Sequence, residues 1–466
     1  MAVAAGESHT VVVGEDGNAY AFGTNIWGQN GTLYKTFMLD PTPVLGLPPS
    51  LGPVRQIATG FNHTGIVTDA GDLLMCGFGR FGQLGLGLGG RGYHSMTPTL
   101  VPRVSFDDEA VLMVACGGLH TVAVTEAGGV FTFGDGDDHQ LGHGTRESQW
   151  TPLRVPAAGF HNERVVMAAA GNRHTVALSE AGHVFTWGFG LSGCLGHGDR
   201  RSERVPLKIE PARFGGERVV FVAAGHDHTA AVTEGGRLYT WGAGSAGRLG
   251  HGDPENRWAP TLVWTEAFGG DEAGQVVMAA CGNMHTLVVT QDGALWACGG
   301  GELGQLGLND TENNYVFRQV GVAAFGGARV VTAAAGYGHS VAVTEDGALW
   351  TWGDSRGWQL GHGDVETRLV PTRVTAASLQ GTRIGRCRPL PTTHALAFAM
   401  GTHGRLGAAS PLAALAGEPG LLTMIASAAN RWIGGAAGEC EGLVRLLGGM
   451  SADRRRRYVQ TTQAGS

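Results

Sequence analysis

Three residue patterns in this chain could do chemistry, and each must be weighed before any fold is drawn. Four stretches that open a Gly-rich loop match Gly-x-Gly-x-x-Gly, the phosphate cradle of dinucleotide sites: Gly77/Gly79/Gly82, Gly188/Gly190/Gly193, Gly242/Gly244/Gly247 and Gly299/Gly301/Gly304. In such a site the third glycine opens a helix whose N-terminus holds the pyrophosphate. Here every match runs into a loop pattern, and all four fall at one point of a repeat, so they read as turn glycines. Histidines offer metal ligation: His9, His63, His120, His174, His228, His285 and His339 each close a Gly-x-x-His phrase, and His143, His197, His251 and His362 stand in Gly-His-Gly turns. Periodic placement spreads imidazoles around a fold rather than gathering them on one ion. Each is expected to bridge backbone groups between neighbouring strands or blades. His226 beside His228 is the one close pair, without a ligand set around it. The cysteines also follow the repeat: Cys76 and Cys298 stand where other periods place Trp before Gly, and Cys116 and Cys281 replace Ala. That is how small buried apolar residues behave. No catalytic residue, metal site or cofactor is expected.

The elements that must position these residues come from the same period. Successive Gly-x-x-His histidines lie 54, 57, 54, 54, 57 and 54 residues apart, and a degraded copy at His394 follows after 55. A steady period over most of a chain marks a repeat architecture and overrides the length prior of two or three domains. Each period has one grammar. A segment such as 219–224 precedes the Gly-x-x-His turn; His228-Thr-Ala-Ala-Val-Thr233 alternates like a strand; a Glu-Gly-Gly turn leads to Arg237-Leu-Tyr-Thr-Trp241. A Gly-rich loop and a Pro-x-x-Val element complete it. That makes four short strands per period, and 79 glycines among 466 residues suit their many tight turns. Four-stranded units repeated about seven times hide their edges by closing radially, which predicts an all-β β-propeller. Residues 408–466 are expected to form a C-terminal extension of short helices (411–415, 420–428 and 439–447) and a basic tail. The chain enters in mid-period, at the second strand, and 383–400 supplies the same strands again. One of the two segments, 2–14 or 383–400, should close the ring and the other add outside it.

Charge narrows the function classes. Residues 1–382 hold 23 Lys and Arg against 36 Asp and Glu, whereas 383–466 hold 10 Arg against 4 acids. An acidic body is a poor nucleic-acid surface, and Arg454–Arg457 reads as solvated charge. No run of apolar residues reaches membrane-spanning length, the opening residues lack the pattern of a signal peptide, and seven cysteines without a C-x-x-C pair fit a reducing compartment. A soluble monomer in the cytoplasm, or in the nucleus, is expected.

The Gly-x-x-His-Thr phrase, the Trp-Gly pairs Trp187-Gly188, Trp241-Gly242 and Trp352-Gly353, and the Gly-Gln-Leu-Gly phrases at 82–85 and 304–307 resemble the regulator of chromosome condensation repeat family. Kelch repeats have a similar period but lack the Gly-x-x-His phrase. The resemblance covers about residues 1–407 and implies a seven-bladed propeller. It also implies two functional classes: scaffold or targeting modules, and guanine-nucleotide exchange factors for a small Ran-like GTPase. The founding member acts on Ran through a propeller face and a β-wedge, and reaches chromatin with a basic N-terminal tail. This sequence shows neither tail nor wedge, since its periods vary by only three residues. The scaffold reading is therefore preferred.

Counting strand directions places the Gly-x-x-His turns and the Gly-rich loops on one face. Their non-repeating residues are Phe61, Asn62, Arg80, Phe81, Asp137, Asp138, Asn172, Arg173, His226, Asp227, Tyr337, Arg356 and Trp358. This mixture of aromatic, Arg and Asp side chains suits recognition of a protein partner. Of the tryptophans, Trp187, Trp241, Trp296, Trp350 and Trp352 should pack within the blades, while Trp27 and Trp358 fall in Gly-rich loops.

Overall fold

The computed structural model describes residues 3–375, apart from 34–35, 89, 91–92 and 271–273, together with 382–384. The chain divides into two units, Met1–Cys387 and Arg388–Ser466, and all described residues fall in the first. The helices expected at 411–415, 420–428 and 439–447, the copy at His394, the 407 boundary and the arginine run lie outside the described residues.

Seven separate four-stranded antiparallel sheets, each formed from consecutive strands, make a propeller ring. Blades 1 to 7 span residues 3–43, 54–100, 111–154, 165–208, 219–263, 276–319 and 330–373. Within each blade the register repeats. In blade 5, His228 pairs with Gly242 and Thr229 with Trp241; in blade 7, His339 pairs with Gly353 and Ser340 with Trp352. The second strand is buried along its whole length in every blade, as in His228–Thr233, because blades stack face to face on both sides of it. The outermost strand is largely open to water instead: in Glu203–Lys208 Pro206 alone is buried.

Two glycine positions are dictated by close approach. Gly242 holds φ +108°, and a β-carbon there would lie 2.5 Å from the Asp227 carbonyl oxygen, because the third strand crosses over the Gly-x-x-His turn. A β-carbon on Gly225 would strike the His228 ring and the Gly282 carbonyl. Only hydrogen fits. Between blades, short 3-10 turns bury Phe106, Phe160, Phe214, Phe268 and Phe325. Each meets an aromatic ring of the third strand edge-on, as Phe160 does with Phe185 at 5.5 Å. This phenylalanine recurs with the period and belongs to its grammar.

The chain enters the ring one strand earlier than the sequence suggests. The chain does not enter at the second strand: Val3–Ala5 forms a shortened first strand paired with His9–Val13. Ile384 then bridges Gly14 in antiparallel fashion, as Val330 pairs with Thr344 in blade 7. Glu15 N–H donates to the Arg383 carbonyl at 2.9 Å, and Ile384 N–H to the Gly347 carbonyl at 3.1 Å. The first strand of blade 1 is thus shared: Val3–Ala5 supplies its end and Ile384 its beginning. Of the segment 383–400 only residues 383 and 384 are described, and these continue the strand of Val3–Ala5 rather than adding outside it.

Candidate partner-binding face

Seven equivalent hydrogen-bond relays join the blades. His9 Nε2 lies 3.0 Å from Thr64 Oγ1 of the next blade, and Thr64 Oγ1 donates to the Gln29 carbonyl at 2.7 Å. The hydroxyl has one proton and the carbonyl can only accept, so the imidazole must donate from Nε2. The same relay runs through His63 and Thr121, His120 and Thr175, His174 and Thr229, His228 and Thr286, and His285 and Ser340. His339 and Thr10 close the circle at 2.9 Å. The bridges therefore cross between blades as expected, but they end on a side-chain hydroxyl rather than on backbone groups. The residue after each histidine points into the interface and presents its oxygen there first.

Burial dominates the acid–base character of these imidazoles. His9, His120 and His285 are pushed down to about 3, and His63, His174 and His339 to about 4; His228 is lowered as well. All are neutral at physiological pH. The Gly-His-Gly histidines behave alike: His143, His197, His251 and His362 bond to Thr132, Thr186, Thr240 and Thr351 of their own blades at 2.8–2.9 Å. Among the described residues no group of three His, Cys, Asp or Glu side chains is placed to hold a metal ion. The thiols of Cys116 and Cys281 are pushed up to about 12 by burial, so neither is a nucleophile at neutral pH.

Around the axis, the Gly-x-x-His turns also touch one another through backbone bonds. Tyr337 N–H donates to the Gly6 carbonyl at 3.1 Å, Asn283 N–H to Gly336 at 3.2 Å, and His226 N–H to Gly282 at 3.1 Å. Contacts with the Gly-rich loops put both sets on one face: Gln29 Nε2 donates to Asn62 Oδ1 at 3.2 Å, and Asn62 Nδ2 to Glu7 at 3.0 Å. Phe61 of blade 2 stacks on His226 of blade 5, with ring centroids 5.7 Å apart. His226 bonds to Asp227 at 2.7 Å and to Asn172 at 3.1 Å. Arg173 pairs with Asp138 at 3.4 Å, and Arg356 with Asp354 at 2.8 Å. Of the thirteen residues singled out from the sequence, Arg80, Asp137, Tyr337 and Arg356 are exposed, and the other nine are half-buried.

A sequence model of the RCC1-like domain matches residues 79–411. The chain belongs to the RCC1-like family. It is 35% identical over 363 residues to the ultraviolet-B receptor UVR8 of Arabidopsis thaliana, which covers 76% of this chain and 78% of that one. It is 32% identical over 409 residues to the E3 ubiquitin-protein ligase HERC2 of Homo sapiens, covering 86% of this chain but 8% of that protein. The secretion-regulating guanine nucleotide exchange factor of Mus musculus is 30% identical over 74% of this chain and 75% of its own length. Among solved structures, yeast RCC1 (Prp20), determined bound to Kap60, shares the fold with a TM-score of 0.68 at 24% identity, over 78% of this chain and 84% of that one.

Within this RCC1-like propeller the glycine fingerprints are turn residues, and among the described residues no α-helix follows any of them. Trp187, Trp241 and Trp352 are fully buried; their indole N–H groups donate to the carbonyls of Gln140, Cys194 and Gln305 at 2.8–2.9 Å. Those carbonyls already accept the Thr and Ser hydroxyls, so one oxygen holds two donors from the neighbouring blade. Cys76 and Cys298 direct their thiols to the matching carbonyls of Gln29 and Arg248. The Gln of the Gly-Gln-Leu-Gly phrase was not singled out from the sequence, yet its carboxamide closes the loop. Gln29, Gln83, Gln140, Gln305 and Gln359 each accept the backbone N–H two residues earlier, at 2.8–3.0 Å. Its periodic recurrence is the signal that could have shown this.

Proposed function

We propose that this RCC1-like propeller is a non-catalytic protein-interaction module that holds a protein partner on the face of Gly-x-x-His turns and Gly-rich loops. What supports the reading is a division between two classes of side chain. The repeating histidines, threonines and tryptophans are bonded across blade interfaces, while the non-repeating aromatic and charged residues collect at the loop ends of one face. A scaffold needs no more than that. The module would act without a cofactor, as a monomer, in the cytoplasm or nucleus, and without direct contact to nucleic acid or membrane. Among the described residues no helix is long and apolar enough to cross a membrane. Replacing Phe81, Tyr337 and Trp358 together by alanine should abolish capture of the partner while circular dichroism stays unchanged; undiminished capture by the folded variant rejects the face.

The kinship with an exchange factor over three quarters of both chains favours one second reading, nucleotide exchange on a small GTPase. A nucleotide-release assay against a panel of small GTPases separates the two. Acceleration of any one by orders of magnitude makes the chain an exchange factor, and unaltered release from all leaves the scaffold.

A further inference from the structure

Two arginines of this face lie over aromatic rings, and they differ in one respect. The Arg173 guanidinium sits 3.7 Å from the centroid of Phe189 and carries its counter-ion, Asp138, at 3.4 Å. Arg80 lies 5.4 Å from the centroid of Phe81 and is exposed; among the described residues no carboxylate stands within ion-pair distance of it. Beneath it runs an aromatic ladder across the seam of blades 1 and 2. Phe81 and Phe78 have centroids 6.2 Å apart, and Phe78 meets Trp27 edge-on at 5.0 Å. All three rings are half-buried. The places of Trp27 and Phe81 are taken in blades 3 to 6 by Asp138, Ser192, Ala246 and Leu303, so the ladder is not part of the repeat.

An arginine resting on a ring keeps its planar fork in place and gives up part of its hydration, which prepares it for a carboxylate. On Arg173 the chain supplies that carboxylate itself. On Arg80 none of the described residues does, and the half-covered rings beside it leave apolar area that an adjacent side chain could cover. We propose that Arg80 and the Trp27–Phe78–Phe81 ladder form the docking site for an extended, acidic peptide segment of the partner, in which a carboxylate neighbours an aromatic or large aliphatic side chain. The carboxylate completes on Arg80 the pair that Asp138 makes on Arg173, and its apolar neighbour lies along the ladder. This deepens the proposed function and rests on it.

The test uses the full chain against an array of short synthetic peptides. One position varies among Asp, Asn and Lys, and the next among Phe, Leu and Ser. The wild-type chain should prefer Asp-Phe and Asp-Leu peptides over their Asn counterparts by about tenfold, and Arg80→Ala and Phe81→Ala should each remove that preference. Arg80→Lys, which keeps the charge without the fork, should weaken it. Arg80→Glu should turn it toward Lys-Phe peptides. Absence of binding, or equal binding of acidic peptides by wild type and Arg80→Glu, overturns the inference. If the peptides ignore Arg80 but are lost on Tyr337→Ala/Trp358→Ala, the site lies elsewhere on the same face and the proposed function stands. If they ignore every loop substitution there, both fall.

Discussion

Ile384 and Gly14, 370 positions apart in the chain, form the antiparallel bridge that begins the first strand of blade 1. Ile384 is fully buried and packs in one cluster with Val3, Val12, Phe22, Val341 and Leu349, residues of both the first and the last blade. A ring has no stable cut, so this residue ties the whole propeller.

The first prediction follows from that position. Ile384→Ala should cost about 2–4 kcal/mol in urea denaturation, the range for an isoleucine truncated in a core that cannot collapse around the gap. Leu191→Ala, at an exposed loop tip, should change stability by less than about 0.5 kcal/mol. Equal effects would mean that Ile384 closes nothing.

The second concerns acid. An unfolded chain takes up protons on these histidines near 6.5, whereas the folded chain holds them at about 3 to 4. Stability is then fully present above 6.5 and is lost as pH falls toward 4, by up to about 1.4 kcal/mol per pH unit for each histidine. The urea midpoint should fall steeply between pH 6.5 and 4.5, and His120→Gln should make that slope shallower. A midpoint that is flat over this range contradicts the buried neutral ring.

The third uses backbone strain. Trp358 has φ +65° and His139 φ +64°, where the equivalent loop residues are Gly28, Gly82, Gly193, Gly247 and Gly304. A β-carbon on Gly247 would lie 2.5 Å from Tyr315 Cα, so Gly247→Ala should destabilise the fold by about 1–3 kcal/mol. Trp358→Gly relieves a left-handed tryptophan, and its melting temperature should match or exceed that of the wild type. A large loss there would show that the indole is held for packing.

What could be read in the sequence, and what could not, divides along the period. The blade number, the strand grammar and the face came from spacing, because His228 and Gly242 recur in every repeat and each repeat folds locally. The partner of His9 could not be read, since Thr64 reaches it only through contact between blades, and no spacing within one repeat reports that. Entry at the second strand was misread for the same reason: that Val3–Ala5 belongs to a first strand shows only when His9–Val13 and Ile384 stand beside it. On the face, residue type alone did not separate Arg173, whose charge is met by Asp138, from Arg80, whose charge no carboxylate among the described residues meets.

The last prediction concerns an exchange of volume inside blade 6. In blade 7 the fourth strand carries Pro371 and the third Trp352, and both flank Gly307: a β-carbon there would be 2.8 Å from the indole nitrogen and 3.2 Å from Pro371 Cδ. Pro41, Pro98, Pro152, Pro206 and Pro260 occupy the same place in blades 1 to 5. Blade 6 alone has Phe317 there, and it has Cys298 in place of the tryptophan; both flank Gly250 and share one core cluster with Phe268. The larger ring on the fourth strand fills what the small thiol on the third leaves open. Cys298→Trp should therefore overpack the junction and cost about 1–3 kcal/mol, and Phe317→Pro should open a cavity of similar cost. Together they rebuild the pair of blade 7, so the double variant should lose less than the sum of the two by at least about 1 kcal/mol. Strict additivity in a double-mutant cycle, measured by urea denaturation, would show that the two positions do not share one space.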